Sequence, residues 1–127
     1  MPFGWGRLLC HVLIIEDEAM IALDLEWLLE GEGASSFSFA ASQDEAVTAA
    51  RSRRPDIITA DVSLVEGTRP AAVVAIREAM GAIPVLYISA TAKNCCEEDR
   101  LTRVLPKPLN RSAVTCAFRE SRELTSG

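Results

Sequence analysis

The residues best suited to chemistry stand directly after short apolar runs, where strands would end. Glu16 and Asp17 follow the first such run, Asp61 the third, Ser89 the fourth and Lys107 the fifth. A carboxylate can attack phosphorus as a nucleophile, and neighbouring positive charge eases that attack. These residue types therefore indicate phosphoryl chemistry, provided that the fold brings them together.

Five apolar runs alternate with stretches of helical period, a pattern typical of β-α units that feed a parallel sheet. The first, third and fourth runs are continuously apolar, as strands covered on both faces must be. The second alternates serine and phenylalanine, which suits an edge strand. The predicted strands are Val12–Ile15, Phe37–Ala40, Ile57–Ala60, Val85–Ile88 and Val104–Leu105.

Helices are predicted between these runs. The first carries an apolar stripe and ends at glycine, and the second opens with a capping box formed by Ser42 and Glu45. The third begins at Pro70, and the last runs from about Asn110 to Glu123. Together the elements predict a flavodoxin-like α/β fold, (βα)5, doubly wound, with a parallel sheet in the order 2-1-3-4-5 and helices on both faces.

The first and third strands are neighbours in that order, so Glu16, Asp17 and Asp61 should converge where the strand order reverses. Three carboxylates within about 5 Å repel one another by roughly 3 kcal/mol per pair at an effective dielectric of 20. Such a group needs a cation. Because the candidate ligands are all oxygens, a hard ion such as Mg²⁺ is expected.

In this arrangement Asp61 would be the nucleophile, Lys107 would neutralise charge opposite the metal, and Ser89 would donate its hydroxyl to a phosphoryl oxygen. Each residue also has an ordinary structural interpretation. An acidic pair that opens a helix can simply complement its dipole, and an aspartate after a strand often starts a turn. Their conjunction at the same end of four strands favours a functional site.

At these positions the chain resembles the response-regulator receiver domain of two-component signalling, over residues 8–123. Ile15–Glu18 is similar to the family's acidic pair, and Pro55–Asp61 is similar to its phosphoacceptor strand. Ile88–Ala90 matches the Ser/Thr-Ala switch, and Leu105–Pro108 the Lys-Pro turn. The acidic start and the loop after the acceptor also resemble receivers of alphaproteobacterial stress regulators.

The resemblance implies that Asp61 receives phosphate from a sensor histidine kinase or a histidine phosphotransfer protein. It implies further that Asp17, Asp61 and the backbone carbonyl of Ser63 coordinate Mg²⁺, with Glu16 acting through water. By the same analogy the bond between Lys107 and Pro108 is expected to be cis. The resemblance implies a signalling protein rather than an enzyme, whose own catalysis is limited to phosphoryl acceptance and slow autodephosphorylation. A homodimer is compatible with this interpretation.

Three features depart from the family's pattern. Val104 stands where the family usually has Tyr or Phe, three residues before the lysine. The loop Val62–Gly67 lacks the proline common four residues after the acceptor, and Thr91–Thr102 leaves room for only a curtailed fourth helix. The acceptor chemistry should survive these changes, whereas the route by which the signal leaves the domain is not specified.

Trp27 falls with Met20 and Leu23 on the side of the first helix opposite its apolar stripe. Two interpretations stay open. Trp27 could pack against Phe3 or Trp5, or it could dock a partner, because an exposed tryptophan is a suitable anchor and the first helix commonly meets the kinase in this family.

Size and composition fit one compact domain, with 127 residues and a formal net charge of −5. We expect residues 1–7 to be an N-terminal extension and residues 124–127 a C-terminal tail, hence a stand-alone receiver, although a receiver cut from a longer protein would have the same sequence. The acidic balance argues against nucleic-acid binding. No apolar run reaches the roughly 18 residues of a membrane span, and residues 1–6 do not resemble a secretory signal. A cytoplasmic protein that does not bind membranes is therefore expected.

The four cysteines show neither a CxxC spacing nor a histidine partner for zinc, so reduced and mostly buried thiols are expected. They are Cys10, Cys95, Cys96 and Cys116.

Two other functions stay open. A pseudo-receiver would bind partners without phosphorylation; Val104 favours it, whereas the intact Asp17, Asp61 and Lys107 argue against it. A small metal-dependent phosphatase or nuclease could use the same acids. Phosphatases with an aspartate nucleophile usually need a second acid two residues later, and this chain has Ser63 there.

Overall fold

The structure is a computed structural model that describes residues 9–62, 71–89 and 99–126. The strands are β1 (His11–Ile15), β2 (Ser36–Ala40), β3 (Ile57–Asp61), β4 (Val85–Ser89) and β5 (Thr102–Pro106). The helices in the described ranges are α1 (Ala19–Gly31), α2 (Gln43–Ser52), α3 (Ala71–Met80) and α4 (Arg111–Ser126). None of these helices is long and apolar enough to cross a lipid bilayer.

The strands form one parallel sheet in the order β2-β1-β3-β4-β5, which confirms the predicted topology. Ile15, at the end of β1, pairs with Ala40 of β2 on one side and with Ala60 of β3 on the other. Asp61 pairs with Ile88 of β4. The carboxyl ends of β1, β3 and β4 therefore lie side by side along one edge of the sheet.

Helices cover both faces of this sheet, because successive side chains of a strand point to opposite faces. On one face, Val12 and Ile14 of β1 pack with α1 and α4, where Phe118 is fully buried. On the other face, Leu13 and Ile15 pack with α2 and α3. Burial of a side chain such as Phe118 stabilises the fold by about 1.5–3 kcal/mol, so the two apolar layers fix the strands that carry the polar edge.

Local sequence signals set the start of two helices. Ser42 caps α2 as predicted, since its Oγ accepts a hydrogen bond from the Glu45 backbone N–H at 3.2 Å. Glu45 Oε1 accepts a hydrogen bond from the backbone N–H of Ala41 at 2.7 Å, one residue before the capping serine. Asn110 Oδ1 accepts a hydrogen bond from the Ala113 backbone at 3.0 Å, just before α4. Asn110 is therefore the N-cap residue of α4.

The first four strands are each one residue longer than predicted, and β5 and α4 are each longer by more than that. β5 begins at Thr102 because its pairing with β4 includes the polar Thr102 and Arg103, which the apolar pattern could not reveal. α4 continues to Ser126, beyond the predicted end at Glu123 and into the predicted tail. The predicted start of α3 at Pro70 and the curtailed helix after β4 lie outside the described residues.

The exposed side of α1 agrees with its sequence pattern. Met20, Leu23 and Trp27 are all exposed, and the Arg111 guanidinium lies 5.2 Å from the centre of the Trp27 ring. Phe3 and Trp5, one predicted contact for Trp27, lie outside the described residues.

The described cysteines agree only partly with the expectation of buried thiols. Cys10 is buried, and burial raises the pKa of its thiol to about 11, so it is an inert group. Cys116 is exposed, contrary to the prediction, because it lies on the outer side of α4. Cys95 and Cys96 lie outside the described residues.

A group of polar residues lies at the amino-terminal end of β1. We call His11, Ser36, Ser38 and Asp56 the amino-terminal cluster. Nδ1 of His11 lies 2.9 Å from Ser36 Oγ, and Nε2 lies 2.7 Å from Ser38 Oγ. The His11 backbone N–H donates to Asp56 Oδ2 at 2.8 Å. Burial lowers the pKa of His11, and the nearby Arg53 lowers it further, while Asp56 opposes the shift. Every nitrogen of this buried residue therefore has a partner.

Candidate functional site

Four acidic side chains meet at the carboxyl ends of β1 and β3. Glu16, Asp17 and Glu18 lie between β1 and α1, and Asp61 is the last residue of β3. One carboxylate oxygen from each lies within 4.8 Å of the others. The convergence follows from the register, since Ile15 and Ala60 are paired and the residues that follow them must be neighbours.

These acids differ in exposure. Glu16 and Asp61 are buried, whereas Asp17 and Glu18 are exposed. The Glu16 backbone N–H donates to the carbonyl of Ala40 at 2.8 Å, and Glu16 Oε2 accepts a hydrogen bond from the Glu18 backbone at 3.1 Å. Its other oxygen, Oε1, is buried without a hydrogen-bond partner among the described residues.

The environment of Glu16 disfavours its negative charge. Burial raises the pKa of Glu16 to about 7, and the neighbouring Asp61 carboxyl adds to the rise through its close side-chain contact and, to a smaller extent, through its like charge. The buried side of the group thus has more negative charge than its surroundings can compensate.

Lys107 provides one compensating charge. Its Nζ lies 3.1 Å from Asp61 Oδ2, and the Lys107 side chain is 19% exposed while that of Asp61 is 0% exposed. Partial burial disfavours the ammonium, but the hydrogen bond to Asp61 and the charges of Asp61 and Glu16 outweigh this effect, so the pKa of Lys107 is raised. The bond between Lys107 and Pro108 is cis, as the resemblance implied. We call Glu16, Asp17, Glu18, Asp61 and Lys107 the carboxyl-terminal cluster.

Ser89 ends β4, the strand between those that carry Asp61 and Lys107. The residue is buried, and its carbonyl accepts a hydrogen bond from the Lys107 backbone at 2.9 Å. Ser63, the remaining predicted ligand, lies outside the described residues. The structure therefore brings together Glu16, Asp17, Asp61 and Lys107 and places Ser89 at the same edge, while the roles of these residues stay predictions.

Glu18 is the residue that the sequence analysis did not assign. It belongs to the group of four carboxylates, and its backbone N–H holds the buried Glu16 carboxylate. The signal for it was its place in an unbroken run of three acids after β1.

Val104 lies in the middle of β5 and pairs with Tyr87 of β4, which is buried. Val104 itself is only partly buried. The edge strand β5 therefore carries an aliphatic residue, Val104, opposite the aromatic Tyr87 of β4.

A parallel sheet in this order, with an acidic group and a lysine at its carboxyl edge, defines a doubly wound α/β domain with a polar site where the strand order reverses. The family model for the response regulator receiver domain matches residues 12–119. The chain belongs to the response regulator receiver domain family, which confirms the interpretation drawn from the motifs.

Several of the similar proteins are PhyR regulators. The chain is 41% identical over 81 residues to the phyllosphere-induced regulator PhyR of Methylorubrum extorquens, a match that covers 63% of this chain and 30% of that protein. The crystal structure of the response regulator PhyR from Brucella abortus has a TM-score of 0.79 at 26% identity, over 95% of this chain and 52% of that one. The solution structure of the Erythrobacter litoralis PhyR response regulator REC domain has a TM-score of 0.75 at 30% identity and covers 88% of both chains. The chain thus spans about a third of the curated relative and about half of the Brucella protein.

Proposed function

We propose that this receiver domain accepts a phosphoryl group on Asp61 from a phosphohistidine of a sensor histidine kinase or a histidine phosphotransfer protein. The observation behind the proposal is the contact of 3.1 Å between Lys107 Nζ and the buried Asp61 Oδ2, beside a group of carboxylates within 4.8 Å of one another. The phosphorylated domain would then act by a change in its contacts with other proteins.

The ion pair prepares Asp61 for attack. Lys107 places its ammonium 3.1 Å from Asp61 Oδ2, and the ionised form of a carboxylate is the nucleophile. Since the Asp61 side chain is fully buried, a donor can reach it only after a neighbouring side chain moves, and the long, partly exposed side chain of Lys107 is suited to that movement. As the P–O bond to Asp61 forms, the P–N bond of the phosphohistidine breaks and the released imidazole nitrogen takes up a proton. The ammonium of Lys107 then lies next to the new phosphoryl oxygens.

The carboxyl-terminal cluster fits a hard divalent cation. All candidate ligands are oxygens, the buried Glu16 Oε1 has no partner among the described residues, and the exposed Asp17 opens the group to solvent. Asp17, Asp61 and the backbone carbonyl of Ser63 would hold Mg²⁺, with Glu16 acting through water. When bound, the ion supplies positive charge that screens the carboxylates from each other and from the incoming phosphoryl group.

Ser89 connects the phosphoryl group to the rest of the sheet. Its hydroxyl would donate to a phosphoryl oxygen, and its carbonyl already accepts the Lys107 backbone N–H at 2.9 Å. A shift of Ser89 toward the phosphoryl group would therefore act directly on the end of β5. This route does not need an aromatic residue at Val104.

The exposed side of α1 is the surface that we assign to the phosphodonor protein. Trp27 is 64% exposed and lies on the same side of the helix as the exposed Met20 and Leu23. Replacing Trp27 by Ala should slow transfer from the cognate kinase without changing acceptance from a small phosphodonor. Unchanged rates of transfer from the kinase would remove Trp27 from the interface.

The deciding experiment is incubation with acetyl phosphate and Mg²⁺ followed by intact-mass spectrometry. The wild-type chain should gain a phosphoryl adduct, and Asp61→Asn should not. Asp44→Asn, at an exposed aspartate of α2, is the matched control and should behave as the wild type does. A folded wild type that gains no adduct would leave a pseudo-receiver, and turnover of phosphate esters without a trapped adduct would indicate a phosphatase.

A further inference from the structure

Glu18 occupies the N-cap position of α1, but its side chain does not cap that helix. Its carbonyl accepts the Ala22 backbone N–H at 3.0 Å, as the carbonyl of an N-cap residue does. The Glu18 side chain makes no capping hydrogen bond to the described first turn. Ser, Thr, Asp and Asn are preferred here because their short side chains reach the free N–H groups of the helix. Helix capping therefore does not account for the carboxylate of Glu18.

The carboxylate of Glu18 lies beside the other acids of the carboxyl-terminal cluster. One of its oxygens is within 4.8 Å of an oxygen of Glu16, of Asp17 and of Asp61. Glu16 and Asp61 are buried, whereas Asp17 and Glu18 are exposed. Glu18 is therefore one of two acids on the solvent side of the cluster.

A separate observation on Glu16 indicates that this cluster takes a ligand. Glu16 is only 6% exposed, and its Oε1 has no hydrogen-bond partner among the described residues. Its Oε2 accepts the Glu18 backbone N–H at 3.1 Å, which holds the carboxylate in place. A buried polar atom without a partner is costly unless a ligand supplies one. The oxygen without a partner thus favours a bound cation, independently of the number of acids.

Glu18 can act on such a cation without touching it. The attraction between opposite charges falls only with the first power of their distance, so a carboxylate about 5 Å away still has a strong effect on a divalent ion. Mg²⁺ usually keeps several of its waters when it binds to a protein. An exposed carboxylate on the solvent side of the cluster would therefore face these waters.

We propose that Glu18 sets the affinity of the phosphoacceptor site for divalent cations through its charge. In the proposed function Asp17 and Asp61 coordinate the ion, and Glu18 adds a further negative charge on its solvent side. This inference rests on the proposed function, and it assigns to Glu18 no contact with the phosphoryl group.

Two substitutions change the charge in steps. Glu18→Gln removes one negative charge and keeps both the length of the side chain and the backbone N–H that holds Glu16. Glu18→Lys changes the charge by two units. Asp24→Asn, at an exposed acid of α1 outside the cluster, is the matched control. Calorimetry measures the dissociation constant of Mg²⁺ at ionic strengths where the Debye length is about 30 Å and about 8 Å. Circular dichroism verifies that each variant is folded.

The loss of affinity should follow the change in charge. At low ionic strength the Gln variant should bind Mg²⁺ about three- to tenfold more weakly and the Lys variant about ten- to hundredfold more weakly. Both losses should shrink at the higher ionic strength, and Asp24→Asn should stay within about twofold of the wild type. At saturating Mg²⁺ the Gln variant should react with acetyl phosphate at least as fast as the wild type, because this donor is an anion.

A folded Gln variant with wild-type Mg²⁺ affinity at low ionic strength would overturn the inference. A loss that does not grow from the Gln variant to the Lys variant would overturn it too, since charge would not be the cause. Slower reaction of the Gln variant at saturating Mg²⁺ would have the same consequence, because removal of a negative charge does not hinder the approach of an anion.

The two proposals fail separately. If the wild type binds Mg²⁺ but forms no adduct, acceptance on Asp61 is lost, while the ratio of Mg²⁺ affinities still decides the role of Glu18. If the wild type forms the adduct and both Glu18 variants match its Mg²⁺ affinity, only the role of Glu18 is lost. A wild type that does not bind Mg²⁺ would remove the proposed cation site and the role of Glu18 together.

Discussion

His11 and Glu16 stand at opposite ends of β1, and both are buried, yet their surroundings differ. Both ring nitrogens of His11 lie within hydrogen-bond distance of serine hydroxyls, and its backbone N–H donates to Asp56. Glu16 has one carboxylate oxygen held by the Glu18 backbone and the other without a partner among the described residues. Burial disfavours charge at both positions: the pKa of His11 is lowered and that of Glu16 is raised to about 7.

We attribute the difference to a structural role of the first cluster and to the proposed binding role of the second. A buried polar atom without a partner costs about 1–3 kcal/mol, so the amino-terminal cluster, whose partners are complete, stabilises the sheet without further help. The carboxyl-terminal cluster is incomplete within the described chain and would be completed by a cation and a phosphoryl group.

Removing the ammonium of the carboxyl-terminal cluster should have the largest effect on stability. In Lys107→Met the buried Asp61 carboxylate loses its counterion, so the free energy of unfolding without metal should fall by about 2–4 kcal/mol. Urea denaturation in the presence of a chelator measures this loss. A variant as stable as the wild type would mean that the charge of Asp61 does not depend on Lys107 for its stabilisation.

Mg²⁺ should stabilise the folded chain, because the carboxyl-terminal cluster exists only in the folded state. At an Mg²⁺ concentration about 100 times the dissociation constant, the gain should be about 2.7 kcal/mol, seen as a higher melting temperature. Asp17→Asn should remove most of the rise, and Asp44→Asn should keep it. A rise that survives Asp17→Asn would place the ion elsewhere.

Loss of the His11 ring should lower stability and leave the chemistry intact. His11→Ala removes the partner of Ser36 and Ser38, which are only partly buried and can bind water instead. The expected loss in the free energy of unfolding is therefore modest, about 1–2 kcal/mol, with an unchanged yield of phosphoryl adduct. A strong loss of adduct in this variant would show that the two ends of β1 are not independent.

His11 should also contribute to the pH dependence of the free energy of unfolding. Because the pKa of His11 is lower in the folded chain, the folded state binds its proton less readily than the unfolded state does. The contribution of His11 is fully present above the ordinary histidine pKa of about 6.5 and is lost as the pH falls below it. The difference in unfolding free energy between the wild type and His11→Gln should therefore shrink from pH 7 to pH 5. A difference that grows on acidification would contradict the direction of the shift.

The exposed contact between Trp27 and Arg111 should contribute least to the free energy of unfolding. Trp27→Ala removes the contact with the Arg111 guanidinium, and such an exposed pair contributes about 0.5–1 kcal/mol. Thermal denaturation should detect only this small change. A loss as large as that of His11→Ala would show that Trp27 has further packing partners.

Much of the fold could be predicted because the sequence signals agree with one another. The continuous apolar runs of β1, β3 and β4 predicted buried parallel strands, and the strand order then placed Glu16, Asp17 and Asp61 at one edge. The contact between Lys107 and Asp61 could also be predicted, since Asp61 ends β3 and Lys107 directly follows β5 of the same sheet.

Other features depend on contacts that no local pattern encodes. Thr102 and Arg103 join β5 only because β4 offers a partner, and the bond from Ala72 to Gln43 links residues far apart in sequence. The polar partners of His11 likewise come from the neighbouring strand and the loop before β3. Burial and long-range pairing decide these features, so they could not be derived from spacing alone.

The lysine of the site comes from the last strand of the sheet, and its partner comes from the middle one. A polypeptide that has formed β1 and β3 but has not yet docked β5 would have the carboxylates without their ammonium. Uptake of phosphate on Asp61 would therefore report that β5 is paired with β4 and that Lys107 lies beside the acceptor.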